Sequence, residues 1–124
     1  MKKQAAIYLK HIHDAICKIE TYTSGGRQIF LKRPMVQDAV IRNLEIIGEA
    51  VRNLPVELRH QHPSISWRSI RALRNVLIHE YFGVDLEIVW RVVNKRLPLL
   101  KRHVESLLAD TQYAVSQKQS SSGR

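Results

Sequence analysis

From Val36 to Leu54 the regular apolar positions recur at intervals of three and four: Val36, Val40, Leu44, Ile47, Val51 and Leu54. Side chains at that spacing share one face of an α-helix. The opposite stripe, Asp38, Arg42, Glu45, Glu49 and Arg52, is polar at the same spacing. Such a helix must cover its apolar face with other helices, and that requirement sets the fold class. Pro34 suits the first turn, where no backbone N–H is needed. Gly48, inside the helix, costs up to about 1 kcal/mol relative to alanine and indicates close approach of another backbone.

The same period recurs on both sides. Residues 3 to 23 predict a first helix with Ala5, Leu9, Ile12, Ala15, Cys17, Ile19 and Tyr22 mostly on one side, broken by Ser24-Gly25-Gly26. Arg27 to Arg33 reads as a joining segment. Pro55 to Ser66, with two prolines, reads as a connection holding at most one short turn. Ser66 is placed to cap a third helix from Trp67 to about His79. Asp85 is placed to cap a fourth, from Leu86 to about Asp110, with the stripe Leu86, Val89, Val93, Leu97, Leu100, Val104 and Leu107. Pro98 falls in its middle and should kink it. No strand pattern appears. The expected fold is an all-α, up-and-down four-helix bundle with a kinked long last helix. One domain covers residues 1–110, and a disordered Ser/Gln-rich tail covers 111–124.

The chain has 124 residues, enough for one domain with a real core. No apolar run approaches the roughly 20 residues of a membrane helix. The basic start has no apolar stretch behind it, so no signal peptide and a cytoplasmic location are expected. Cys17 is the only cysteine, which excludes an internal disulfide; on its helix it reads as a small buried filler. Lysine and arginine number 20 against 11 acids, a net charge of +9. That surplus favours a polyanion or an acidic protein as partner, and charge does not separate the two.

The segment Arg74-Asn75-Val76-Leu77-Ile78-His79-Glu80-Tyr81 gathers side chains suited to a phosphodiester. Arginine holds a phosphate through parallel hydrogen bonds and offsets transition-state charge. Histidine moves protons near neutral pH, and a tyrosine hydroxyl donates to a phosphate oxygen. Such a site requires no metal. Arg74 and Tyr81, seven apart, share a helix face, whereas His79 lies about 140° from Arg74. A straight helix does not converge all three. Either the helix loosens before Gly83 or a second chain completes the site. The competing reading takes these residues as caps, ion pairs and an amphipathic rim.

Two histidine pairs, His11/His13 and His60/His62, lack further ligands at metal-binding spacing and read as solvent-exposed. Trp67 and Trp90 read as packing anchors rather than base-stacking platforms. On the second helix, Asp38, Arg42, Glu45 and Glu49 are candidates to stand beside the Arg–His pair, with Arg42 and Glu45 favoured. The alternative is a solvated face carrying ion pairs such as Arg42–Glu45 or Glu49–Arg52.

The eight residues Arg74 to Tyr81 match the R-x-x-x-x-H-x-Y signature of the HepT-like branch of HEPN domains. The stretch from Asp38 through Leu44-Glu45-Ile46-Ile47-Gly48-Glu49-Ala50 resembles that branch's second helix. Ile65-Ser66-Trp67, Val89-Trp90 and Leu97-Pro98-Leu99 are similar to it too, and the likeness runs from about residue 5 to 108. The resemblance implies a homodimeric ribonuclease toxin in which two motif copies meet at the interface. It also implies a partner, a small MNT-type nucleotidyltransferase antitoxin that adenylylates the motif tyrosine, here Tyr81.

The leading expectation is therefore a metal-independent endoribonuclease needing no cofactor, acting on tRNA or mRNA. Arg74 and His79 are its catalytic residues, Asn75, Arg42 and Glu45 bind substrate, and Tyr81 is the modification site. Two alternatives stand beside it: a non-catalytic HEPN partner of a nucleotidyltransferase that binds nucleotide or substrate, and a plain helical adaptor. Ile88, Val92 and Leu99, apolar residues outside the main stripe of the last helix, also predict a homodimer.

Overall fold

A computed structural model describes the backbone of residues 3–71 and 85–122, with side chains for 4–71 and 85–110. The elements in order are α1 (Lys3–Tyr22), α2 (Arg27–Lys32), α3 (Pro34–Arg52), α4 (Val56–Gln61), a helical segment at 67–71, α5 (Leu86–Arg91), a π-helical turn (Val92–Arg96) and α6 (Leu97–Ser122). No strand occurs among the described residues. The fold is the expected all-α bundle. α1 packs against both α3 and α6, and α2 packs against α3 and α5.

The α3 stripe behaves as its spacing requires: Val40, Leu44, Ile47 and Val51 are buried, as is Leu54 just beyond the helix. Pro34 stands in its first turn. On α1 the buried set is Ala5, Leu9, Ile12, Ala15, Ile16 and Ile19. Cys17 is only half-buried and Tyr22 is exposed, against expectation. Position 17 lies about 140° around the helix from Ile12, so Ile16 takes the core position instead.

Both joining segments hold short helices. Gly26 has φ +89°, a left-handed conformation that suits glycine, and it turns the chain into α2. Phe30 on α2 is fully buried and meets Trp90 with ring centroids 5.6 Å apart. Gln37 of α3 donates its amide to the Phe30 and Leu31 carbonyls at 2.9 and 3.1 Å, satisfying acceptors left open at the end of α2. In α4, Leu58 is buried, and Trp67 donates its indole N–H to the His62 carbonyl at 3.1 Å. Both tryptophans therefore serve packing.

Asp85 caps α5 as expected, accepting from the backbone N–H groups of Glu87 and Ile88 at 3.0 and 3.4 Å. Ser66 instead donates to the Ser69 hydroxyl at 2.9 Å, while its carbonyl accepts from the Ile70 N–H. The proline kink takes a specific form. Pro98 supplies no N–H to the carbonyl of Asn94 and would crowd it. The chain widens just before it into the π turn, in which the Leu97 N–H reaches back five residues to the Val92 carbonyl. The wider turn lets Val92 and Leu97, five apart, both face the core. Val92 is therefore core and not surplus surface, whereas Ile88 and Leu99 stay exposed.

Buried positions on α6 are Leu97, Leu100, Val104 and Leu107; the helical backbone itself runs on to Ser122. Polar contacts lock α6 to α1. His13 bonds Glu105 at 2.9 Å, and Lys101 donates to Glu20 at 2.8 Å, a bond that raises the lysine's pKa above its ordinary value. His13, also 3.8 Å from the Cys17 sulfur, is thus a half-buried linker rather than a free surface residue. Arg27 and Glu87 pair α2 with α5. No helix among the described residues is long and apolar enough to cross a membrane.

Candidate functional site

The polar stripe of α3 and one face of α1 form a groove of about 350 Å³. Tyr8 and His11, one turn apart on α1, line it together with Arg42, Glu45 and Glu49 on α3 and Asn53 just past its end. The spacing of three and four that marked the stripe in the sequence is what sets these α3 groups in a row. Arg42 and Glu45 form an ion pair, with Nη1 and Oε2 3.6 Å apart. The guanidinium side is 72% exposed and the carboxylate side 31%, so the arginine can swing to a ligand without leaving a buried charge behind. Tyr8 and His11 meet edge to face, their ring centroids 6.2 Å apart. Asn53 donates its amide to the Glu49 carbonyl at 2.9 Å.

Among the described residues the groove combines one arginine with two carboxylates, an imidazole and a phenol. That set suits orienting a polar ligand and accepting protons from it; it does not suit gathering a polyanion by charge alone. Arg42 and Glu45 are brought together as the sequence suggested. Asp38 is exposed and is not among the groove-lining residues, while Glu49 is. Tyr8 and His11 were not among the residues the sequence nominated beside Arg42 and Glu45, yet they line the same groove. Their signal was the i, i+3 spacing on α1, legible only once α1 was known to lie along α3.

Arg74, Asn75, His79 and Tyr81 fall outside the described residues, as does most of the expected third helix. No group of three or more His, Cys, Asp or Glu side chains placed to hold a metal occurs among the described residues.

Comparison with known proteins decides the lineage. The ribonuclease HepT-like family matches residues 12–107, most of the chain. A protein of Thermococcus cleftensis named as a probable ribonuclease HepT is 44% identical over 111 residues, covering 86% of this chain and 98% of that one. The chain belongs to the ribonuclease HepT-like family. A protein of Caldanaerobacter subterraneus subsp. tengcongensis named as a putative RNase is 42% identical over 102 residues, covering 82% of this chain and 91% of its own. A Methanocaldococcus jannaschii protein named as a gamma-glutamylcyclotransferase and putative RNase is 43% identical over 111 residues, 89% of this chain. The chain spans half the length of that relative. No solved structure matches.

The HepT-like match encloses Arg42, Glu45 and the whole segment from Arg74 to Tyr81. Membership makes the chain a ribonuclease by family.

Proposed function

We propose that this HepT-like ribonuclease is the toxin of a type VII toxin–antitoxin pair, a metal-independent endoribonuclease acting on tRNA or mRNA in the cytoplasm. The observation that carries the reading is the family match over residues 12–107, which contains the Arg74-x-x-x-x-His79-x-Tyr81 sequence. The 2′-hydroxyl of the substrate attacks the adjacent phosphorus. The O2′–P bond forms and the P–O5′ bond breaks, leaving a 2′,3′-cyclic phosphate and a 5′-hydroxyl. His79 takes the proton from the 2′-hydroxyl or delivers one to the departing O5′. In a homodimer the partner copy supplies a second imidazole for the complementary transfer. Arg74 stabilises the charge on the phosphorane. Asn75 orients His79 or binds phosphate, and Arg42 and Glu45 position the neighbouring nucleotide.

Control falls to an MNT-type nucleotidyltransferase antitoxin that transfers AMP from ATP to the Tyr81 hydroxyl: the phenol oxygen, losing its proton, bonds the α-phosphorus and pyrophosphate leaves. The added phosphodiester then occupies the place Arg74 keeps for RNA phosphate, and the nucleoside blocks entry.

The test is cleavage of total RNA and purified tRNA in EDTA by the wild type, Arg74→Ala and His79→Ala. Wild-type cleavage giving cyclic-phosphate ends, lost in both folded variants, is the expected result. Cleavage at the wild-type rate by either variant, or a requirement for added divalent cation, refutes the mechanism.

A further inference from the structure

A second concavity, of about 550 Å³, lies away from the α3 groove. Arg59 and His60 at the end of α4 line it, together with Arg68 and Arg71 on the helical segment 67–71. Among the described residues no acid lines it, and none of the three arginines forms an ion pair. The contrast with the α3 groove is one of charge. Among the described residues, one arginine there is balanced by carboxylates, and here three guanidiniums and an imidazole share one hollow without a carboxylate. The Nε–H of Arg59 is buried and has no acceptor among the described residues.

The frame holding these side chains is fixed. Trp67 is buried, and its indole N–H bonds the His62 carbonyl at 3.1 Å, tying the segment that bears Arg68 and Arg71 to the end of α4 that bears Arg59. The Ile65 N–H bonds the same carbonyl at 3.2 Å. Arg68 and Arg71, three residues apart, present their side chains from neighbouring positions on one helix face. All three strong cations are arginines, whose planar fork suits bidentate contact with phosphate oxygens better than a lysine does.

We propose that Arg59, His60, Arg68 and Arg71 form a docking track for the phosphodiester backbone of RNA, separate from the cleaving residues. The proposal rests on the ribonuclease reading for its choice of polyanion. The track supplies the charge that the α3 groove lacks. Arg71 stands three residues before Arg74 in the sequence. Contacts of this kind set affinity and register without reading bases.

The experiment uses the full chain and the double variant Arg68→Gln/Arg71→Gln. Both residues are exposed, so the fold should survive, and thermal melting checks that it does. Binding is read by fluorescence anisotropy with a labelled 2′-O-methyl oligouridine, which lacks the attacking hydroxyl and survives the measurement. The variant is expected to bind at least about tenfold more weakly at low salt. The slope of log K against log salt should fall by about 1.4, roughly 0.7 for each of two lost single-strand contacts. tRNA cleavage should show a raised KM with kcat retained, and cleavage of a dinucleotide should be unchanged.

Equal affinity and slope in variant and wild type overturn the proposal. Unchanged RNA binding with lost capture of the purified nucleotidyltransferase also overturns it and assigns the patch to protein. A wild type that neither binds nor cuts RNA brings down the ribonuclease reading itself. A wild type that cuts tRNA beside a variant that behaves identically brings down the docking track alone.

Discussion

Replacing Arg42 with alanine separates the two roles its position allows. As a structural residue it has little to give. Its side chain is 72% exposed, and its guanidinium stands 3.6 Å from the Glu45 carboxylate, beyond a good hydrogen bond. An i, i+3 pair of this kind on a helix surface contributes about 0.2–0.5 kcal/mol. For a domain near 100 residues that corresponds to a fall in Tm of at most about 4 °C. As a substrate contact it has more. A hydrogen bond to a charged phosphate or to a polar base edge is worth about 1.5–3 kcal/mol, a drop in kcat/KM of roughly 10- to 150-fold. The two roles thus predict different readouts from one variant. The assay is single-turnover cleavage of tRNA beside thermal unfolding followed by circular dichroism, with Arg42→Lys as a control that keeps the charge but loses the planar fork. A small Tm change with a kcat/KM loss in that range, partly restored in Arg42→Lys, is expected. Cleavage within about twofold of wild type would remove the α3 groove from the site. A Tm loss well above 4 °C would show that the pair is structural and that the argument from its exposure is wrong.

Phe30→Ala should destabilise the fold by about 3–5 kcal/mol, the cost of emptying a fully buried aromatic position, and should lower Tm by more than about 10 °C; a shift of only a degree or two would mean that α2 is not part of the core. Incubation with ATP and an MNT-type nucleotidyltransferase should add AMP to the wild type, not to Tyr81→Phe, and should silence RNA cleavage, all read by intact mass and a cleavage assay; label mapped to Tyr8, Tyr22 or Tyr113 would defeat the regulatory reading.

What the sequence revealed and what it hid divide along a physical line. Long helices announce themselves because a buried stripe repeats over several turns, so α1, α3 and the last helix were legible, as were the Asp85 cap and the first-turn Pro34. α2 and α4 are six residues each, too short for a period to show. Their existence depends on Phe30 and Leu58 finding the core, a tertiary fact. Pro98 foretold a defect but not its kind. The π turn follows from two demands met together: proline cannot accept a normal turn behind it, and Val92 and Leu97 must both face inward. The same distinction governs the sites. The Arg42–Glu45 pairing was legible because both residues share one helix. Tyr8 and His11 join them from another helix, and Arg59 meets Arg68 and Arg71 only because the Trp67–His62 bond folds the connection back. A single-helix pattern can therefore nominate the residues of a cleaving motif. It cannot show which charges from separate segments face one hollow, as Arg59, Arg68 and Arg71 do. The +9 net charge is unevenly placed among the described residues, offset by carboxylates in the α3 groove and not around Arg59, and the docking proposal rests on that difference.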